Sequence, residues 1–254
     1  MIEISNPTTL TMMWFTSITN KEKKNMFNLV WDESGTKLYE TGTDRGVLFP
    51  LNTETKAYDK GVAWNGLTAV TESPSGADES ALYADNIKYV SLRAAEEFGG
   101  TIEAYTYPDE FAACDGSAEL ATGVYAGQQK RGVFGFCYRT ILGNDQDLND
   151  HWYKLHLVYG ATASPSEKAY QTVNDSPEAI SFSWEFTTIP VAVEGFKPTA
   201  CITIDSSKAD KTKLAALEAI IYGTAATTGA NPKAAVKPRL PLPAEVMTLM
   251  KTNG

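Results

Sequence analysis

"AISFSWEFTTIPV", residues 179–191, decides how this chain is read. Ile180, Phe182, Trp184 and Phe186 alternate with Ser181, Ser183, Glu185 and Thr187. A side-chain period of two is that of a β-strand with one face in a core and the other in water. Working outward, "GGTIEAYTY" (99–107) repeats the pattern, with Ile102, Ala104 and Thr106 on one face and Glu103, Tyr105 and Tyr107 on the other. "GVLFPL" (46–51) is a short apolar run, and "PTACITID" (198–205) reads as another strand. "RGVFGFCYRTIL" (131–142) and "HWYKLHLVYG" (151–160) flank "GNDQDLND", which predicts a hairpin with a polar loop. "KGVAWNGLTAVTE" (60–72) and "ALYADNIKYVSLR" (81–93) predict a longer hairpin whose mobile tip is the turn-rich "SPSGADES" (73–80).

Helical signals are few. "ADKTKLAALEAIIYG" places Asp210 as N-cap, Leu214, Leu217 and Ile221 on one face, and Gly223 at the stop. "PAEVMTLM" predicts a short closing helix with Pro243 in its first turn. Between them "GTAATTGANPKAAVKPRLPLP" reads as a flexible arm. The expectation is one mainly-β domain over 26–254, with arms near 27–45 and 224–254.

With 43% hydrophobic and 21% charged residues, the 254-residue chain is that of a folded protein. No apolar run approaches the roughly 20 residues of a membrane-spanning helix. The net charge of −9 is uneven: residues 26–130 carry seven basic and seventeen acidic side chains, while 131–254 carry twelve of each. Nucleic-acid binding needs clustered Lys and Arg, so that class is disfavoured. Cys114, Cys137 and Cys201 are odd in number and contain no CxxC, which argues for buried thiols rather than a disulfide framework.

"TYPDEFAACDGS" (106–117) sets Asp109, Glu110 and Asp115 around Cys114, but no histidine is near in sequence to activate the thiol. A short turn explains the same residues: Pro108 at its start, acids at its N-terminus, Phe111 toward the core and Gly116 at its end. "NDQDLND" lacks the Gly and final Glu of a calcium loop. His151 and His156, five apart on a strand, point to opposite faces, so ring stacking or a surface role is expected rather than a two-histidine metal site. No catalytic, metal-binding or cofactor-binding residue is expected, and the chain reads as a non-enzyme.

The first 25 residues are unlike the rest. Met12, Met13, Trp14 and Phe15 form too short a run for a secretory segment, and the basic residues follow it. "KEKKN" before Met26 can be back-translated to contain AAGGAG, a bacterial ribosome-binding sequence. Residues 1–25 are therefore expected to be translated leader or extension, with Met26 the natural start.

Whole segments resemble a known family. "WDESGTKLYETGTDRGVLFP" (31–50), "GVAWNGLTAVTESPSGADESALYADNIKY" (61–89), "EEFGGTIEAYTYPDEFAACDGS" (96–117), "FGFCYRTILGND" (134–145), "KLHLVYGATASPSEKAYQTVNDSPEAISFSWEFTTIPV" (154–191) and "RLPLPAEVMTL" (239–249) are similar to the major tail proteins of long-tailed, non-contractile bacteriophages and prophages. The resemblance implies a β-sandwich or partial barrel with one flanking α-helix, long hairpin loops and extended arms. It implies hexameric rings stacked into a hollow tail tube, made in the host cytoplasm and located in the virion tail. Its partners would be further copies, a tape-measure protein, tail-terminator and distal tail proteins, with DNA passing through the lumen without specific binding. It brings no cofactor and no catalytic residue.

Three site expectations combine that resemblance with the residues. Glu103, on a polar strand face, is the candidate for an acidic lumen lining, because a lumen should not hold DNA. Ser73, Pro74, Ser75, Gly76, Ala77, Asp78, Glu79 and Ser80 are the candidate ring-stacking loop. Leu38, Tyr39 and Arg45 are candidate contacts to neighbouring subunits. A capsid decoration or head–tail connector protein is one alternative. A carbohydrate-binding β-sandwich, stacking sugars on Trp31, Trp64, Trp152 and Tyr105, is another.

Overall fold

The computed structural model describes residues 29–173, 175, 178–228 and 233–251. The expected leader lies outside the described residues, as do 27–28, 229–232 and 252–254 of the expected arms. The strands are β1 (Tyr39–Pro50), β2 (Val62–Ala63), β3 (Leu67–Glu72), β4 (Ser75–Gly76), β5 (Glu79–Ala84), β6 (Ile87–Arg93), β7 (Glu96–Glu97), β8 (Gly99–Ala104), β9 (Ala118–Ala121), β10 (Val124–Ala126), β11 (Phe134–Asn144), β12 (Leu148–Ala163), β13 (Phe182–Thr188) and β14 (Cys201–Asp205). A 3-10 turn spans Asp109–Phe111, and two helices follow the strands, α1 (Lys211–Tyr222) and α2 (Pro243–Met250).

The fold is mainly β, built on one large antiparallel sheet in the order β2-β1-β11-β12-β13-β8-β3, with β14 also paired to β12. Strand β12 pairs with β11 along one edge and divides the other between two strands: Lys154–Val158 pair with β14, and Ala161–Ala163 pair with β13. The change of partner falls at Gly160, whose φ is +62°. A Cβ there would lie 2.3 Å from the Ile189 carbonyl oxygen, so only glycine fits. Beyond this point the sheet curls back over itself without closing. Glu40–Thr43 of β1 and Thr68–Val70 of β3 line an open gap of about 270 Å³, so the architecture is an opened barrel.

Each face of the central strands has its own core. Leu48, Phe134, Phe136, Tyr138 and Val158 face the curl, where they meet Ile102 and Ala104 of β8 and Trp184 and Phe186 of β13. Trp64 and Phe111 plug this space, with ring centroids 4.6 Å apart. Val47, Phe49, Cys137, Leu155, Leu157 and Tyr159 face the other way and are covered by Leu214, Leu217 and Ile221 of α1 and Val246 of α2. Strands covered on both sides read as continuous apolar runs, which is why "GVLF" and "FGFCY" do not alternate. The 179–191 strand alternates because it is covered on one side, with Trp184 and Phe186 buried and Glu185 and Thr187 exposed.

Helix α1 forms as its sequence predicts. The Asp210 carboxylate accepts from the amides of Thr212 (2.9 Å) and Lys213 (3.0 Å), and Gly223 leaves the helix at φ +73°. Proline opens α2 at its first turn.

Two expectations about the arms change. Residues 39–45 belong to β1, which pairs with β11 of the same chain from Tyr39↔Gly143 to Asp44↔Arg139 with a bulge between Thr41 and Thr43, and Arg45 falls in a second bulge between Asp44 and Val47. The C-terminal stretch is docked from about residue 238: Leu240 bridges Tyr58, the Arg239 amide donates to the Ile220 carbonyl at 3.0 Å, and Leu240 and Val246 are buried. Local composition had suggested free arms, but these apolar residues complete the helix-side core.

Candidate assembly surface

The long hairpin exists, with its tip elsewhere. Strand β3 pairs with β8, not with β5 or β6, ending at Glu72↔Gly100. The ribbon continues through Ser73 N to Gly99 O (2.8 Å), β4 with β7, Ala94 N to Asp78 O (3.2 Å), and β5 with β6. The turn is at Asp85 and Asn86, both at positive φ (51° and 62°), as a two-residue primed hairpin turn requires. Residues 73–80 are therefore one edge of an arm and not its tip. The Ser/Pro/Gly composition marks a twist instead: at Gly76 (φ +83°) a Cβ would come within 2.5 Å of the Ala95 carbonyl oxygen. Glu79 is used inside the ribbon, bonded to Lys88 and to Ser91 Oγ, which hold its carboxyl below the usual value.

The arm exposes what a monomer would normally cover. Every residue of β6 is exposed. Leu82, Tyr83, Ile87, Tyr89, Val90 and Leu92 are large apolar side chains in water. The register Ser80↔Leu92 and Leu82↔Val90 puts Leu82, Val90 and Leu92 on one face. Besides their mutual pairing, β5 and β6 have no strand neighbour among the described residues, so both outer edges carry open backbone groups. A second, smaller ribbon, β9–β10, exposes Leu120, Val124 and Tyr125 and was not foreseen. Its signal was "ATGVY", with Gly123 at φ +79° in the turn.

Glu103 lies on the outward face of the β13–β8–β3 sheet, opposite Ile102 and Ala104 in alternation, and is half-buried. Its register partners are Ser183 and Ala69, and the next pair along brings Glu185 beside Thr101. This wall thus carries Ser183, Glu185, Thr101, Glu103 and Thr71, two acids and no base. The rest of the acidity of 26–130 is spread over the arm, the loops and β1, where Asp44 pairs with Arg139 and Glu40 with Lys154.

The three candidate contacts of the N-terminal arm differ. Leu38 is exposed ahead of β1. The Tyr39 hydroxyl donates to Asn149 at 3.0 Å. Arg45 stands over the ring of Tyr222, 5.7 Å from its centre, so its charge is engaged within the chain.

The acid–thiol stretch has a clear place in the fold. Pro108 precedes the 3-10 turn, Phe111 is fully buried, and Gly116 takes φ +80°. Burial and the neighbouring Asp115 push the Cys114 thiol up to about 12, so it stays protonated. Asp115 is nearly buried and accepts from Arg131 (3.3 Å) and Lys168, tying two distant loops together. His156 stacks on Tyr138, centroids 4.6 Å apart and planes 2° from parallel, the ring-stacked role expected of it. Of the sugar-stacking aromatics, Trp64 is buried in the curl, while Trp31 and Tyr105 are exposed far apart in sequence on different segments. No described helix is long and apolar enough to cross a membrane.

No family model matches the chain, and no curated protein does. A solved structure with some likeness is the sheath–tube complex of the PVC extracellular contractile injection system in its extended state, determined by cryo-electron microscopy. The alignment covers 63% of this chain and 88% of that one, at 12% identity and a TM-score of 0.29. A likeness of that size assigns neither family nor role.

Proposed function

We propose that this chain is a structural subunit that joins copies of itself into hexameric rings, which stack as the hollow tube of a phage tail. The observation that carries the reading is the ribbon arm: a projecting hairpin with unpaired edges and six large apolar side chains in water. Such a surface is costly in a solitary protein and is favoured when a neighbour covers it. Head-to-tail contacts of this kind close into rings or extend as filaments. The segment-by-segment resemblance to major tail proteins supports the same role. On this reading the acidic β13–β8–β3 wall with Glu103 and Glu185 lines the lumen, where it repels DNA in transit. The subunit acts without catalysis or cofactor. It is made in the host cytoplasm, resides in the virion tail, and meets tape-measure, terminator and distal tail proteins there.

The test is negative-stain electron microscopy of protein starting at Met1 and at Met26. Hollow tubes from the Met26 form, lost in the Met1 form, support both the tube and an assembly-blocking leader. Fixed rings that never elongate favour the connector reading, and binding to capsids favours decoration. A finer test follows from the corrected tip. Deleting 73–80 would strip one strand from the ribbon, so the cleaner variant replaces 79–93 with a two-residue turn. It should fold yet form no tubes.

A further inference from the structure

We infer that the exposed apolar segment 29–31 of one copy seats in the groove beside the arm root of a second copy and joins the chains end to end. The inference deepens the self-assembly reading, on which it rests. Leu29, Val30 and Trp31 are 79%, 51% and 73% exposed. Asp32 takes φ +56° and turns the chain immediately after Trp31. The segment is fixed just behind that turn: the Gly35 amide donates to Asp145 Oδ1 at 2.9 Å, and Gln146 Nε2 donates to Ser34 Oγ at 3.0 Å. Three large apolar side chains thus stand in water next to a base anchored at the β11–β12 turn.

The groove lies toward the other end of β12. It is an open cleft of about 1180 Å³ between the arm root at 93–96 and the stretch 196–202. Phe98, Val193, Phe196, Ala200, Cys201 and, from α2, Met247 line it. Val193 and Ala200 are buried in its floor, while Phe196 is 71% exposed at its lip. Its charged residues are Arg93 and Lys197, with Glu96 opposing them. Lys197 makes no ion pair among the described residues, and Arg93 has only an exposed 3.7 Å contact to Glu79. Asp32 and Glu33, directly after Trp31, make none among the described residues either. An apolar triplet followed by two acids therefore matches an apolar groove with two bases at its edge.

Chain reach decides that the occupant comes from another molecule. Ile202 and Cys201 of the groove pair with Leu157 and Val158, whereas Leu148 closes the β11–β12 turn against Asn144. The stretch of β12 from Leu148 to Leu157 is about 30 Å long at ~3.3 Å per residue. The few residues between the anchored Gly35 and Trp31 span at most about 14 Å. Trp31 therefore falls short of its own groove. With the inserted segment at one end of the strand and the groove toward the other, the contact is head-to-tail, so each copy keeps one free half and the contact propagates. A tryptophan filling an apolar pocket is the kind of anchor that carries most of an interface's binding energy. The contact uses neither face of the β5–β6 ribbon.

The contact is read by placing the photo-reactive p-benzoylphenylalanine at position 31 and illuminating a mixture of heavy-nitrogen-labelled and unlabelled chains. Both the full chain and the chain starting at Met26 are used. Mixed-label cross-links from position 31 to 93–98 or 190–202 are expected in at least one form. Cross-links confined to single chains, mixed-label cross-links to other places such as the 81–90 hairpin, or none in either form would overturn the inference. Trp31→Ser, at an exposed position, should keep the unfolding midpoint and weaken self-association about tenfold or more in sedimentation. Lys197→Glu should weaken it about two- to fivefold, and adding Glu33→Lys should recover the loss. Unchanged self-association in either single variant also overturns the inference. Tubes that form without groove cross-links would sink this contact and leave the tail-tube reading standing. Groove cross-links without tubes would support the contact and count against the tube.

Discussion

The central strands and the arm are made of the same material and end in opposite states. Strand β11 and strand β6 are both rich in apolar and aromatic residues, yet Phe134 to Cys137 are wholly buried while every residue of β6 is exposed. The first lies between a curled sheet and a helix pair, and the second has one hydrogen-bonded partner and no covering layer among the described residues. Burial on both faces lets the centre contribute stability, because apolar area leaves water on two sides. The arm buries little apolar area and so contributes little to folding, and its apolar side chains stand in water.

Four variants test that contrast. Phe136→Ala, in the aromatic plug, should cost about 3–5 kcal/mol in urea unfolding. A loss below about 1 kcal/mol would mean the curl is not a packed core. Leu217→Ala, fully buried between α1 and the sheet, should cost about 3 kcal/mol and lower the unfolding midpoint accordingly. Asp210→Ala removes the carboxylate that caps α1, and a thermal melt should register about 1 kcal/mol. Tyr89→Ser with Leu92→Ser, both on the arm, should leave stability within about 0.5 kcal/mol while abolishing assembly. Arm substitutions that unfold the protein would erase the distinction between the two regions.

The contrast also shows where local sequence stops. The alternation at 99–104 and 182–188, the 131–160 hairpin, α1 with its caps Asp210 and Gly223, and α2 with Pro243 in its first turn are legible, because each is set by side-chain period or by turn and cap chemistry within a few residues. The tip of the arm was misplaced because Ser-Pro-Ser-Gly marks a bend as readily as a turn, while the actual turn, Asp85–Asn86, is a pair of residues that tolerate positive φ. The terminal stretches looked free because nothing nearby announces that Leu240 will meet Tyr58, or that residues 39–45 will find β11. The candidate surface divides the same way. Glu103 on a polar face was readable, but its neighbour Glu185 comes from a strand about eighty positions away.

Local patterning sets the kind of chain: mainly β, acidic in its first half, capped at α1, and arranged so that some strands bury one face. Those properties rest on interactions between residues close along the backbone. Long-range packing sets the rest: the sheet curls at Gly160 into an opened barrel, both faces of β1, β11 and β12 are covered, and Glu72, His156 and Glu40 meet at the root of the arm. These are pairings across many tens of residues, chosen by which apolar faces can be hidden together and which backbone groups can be satisfied.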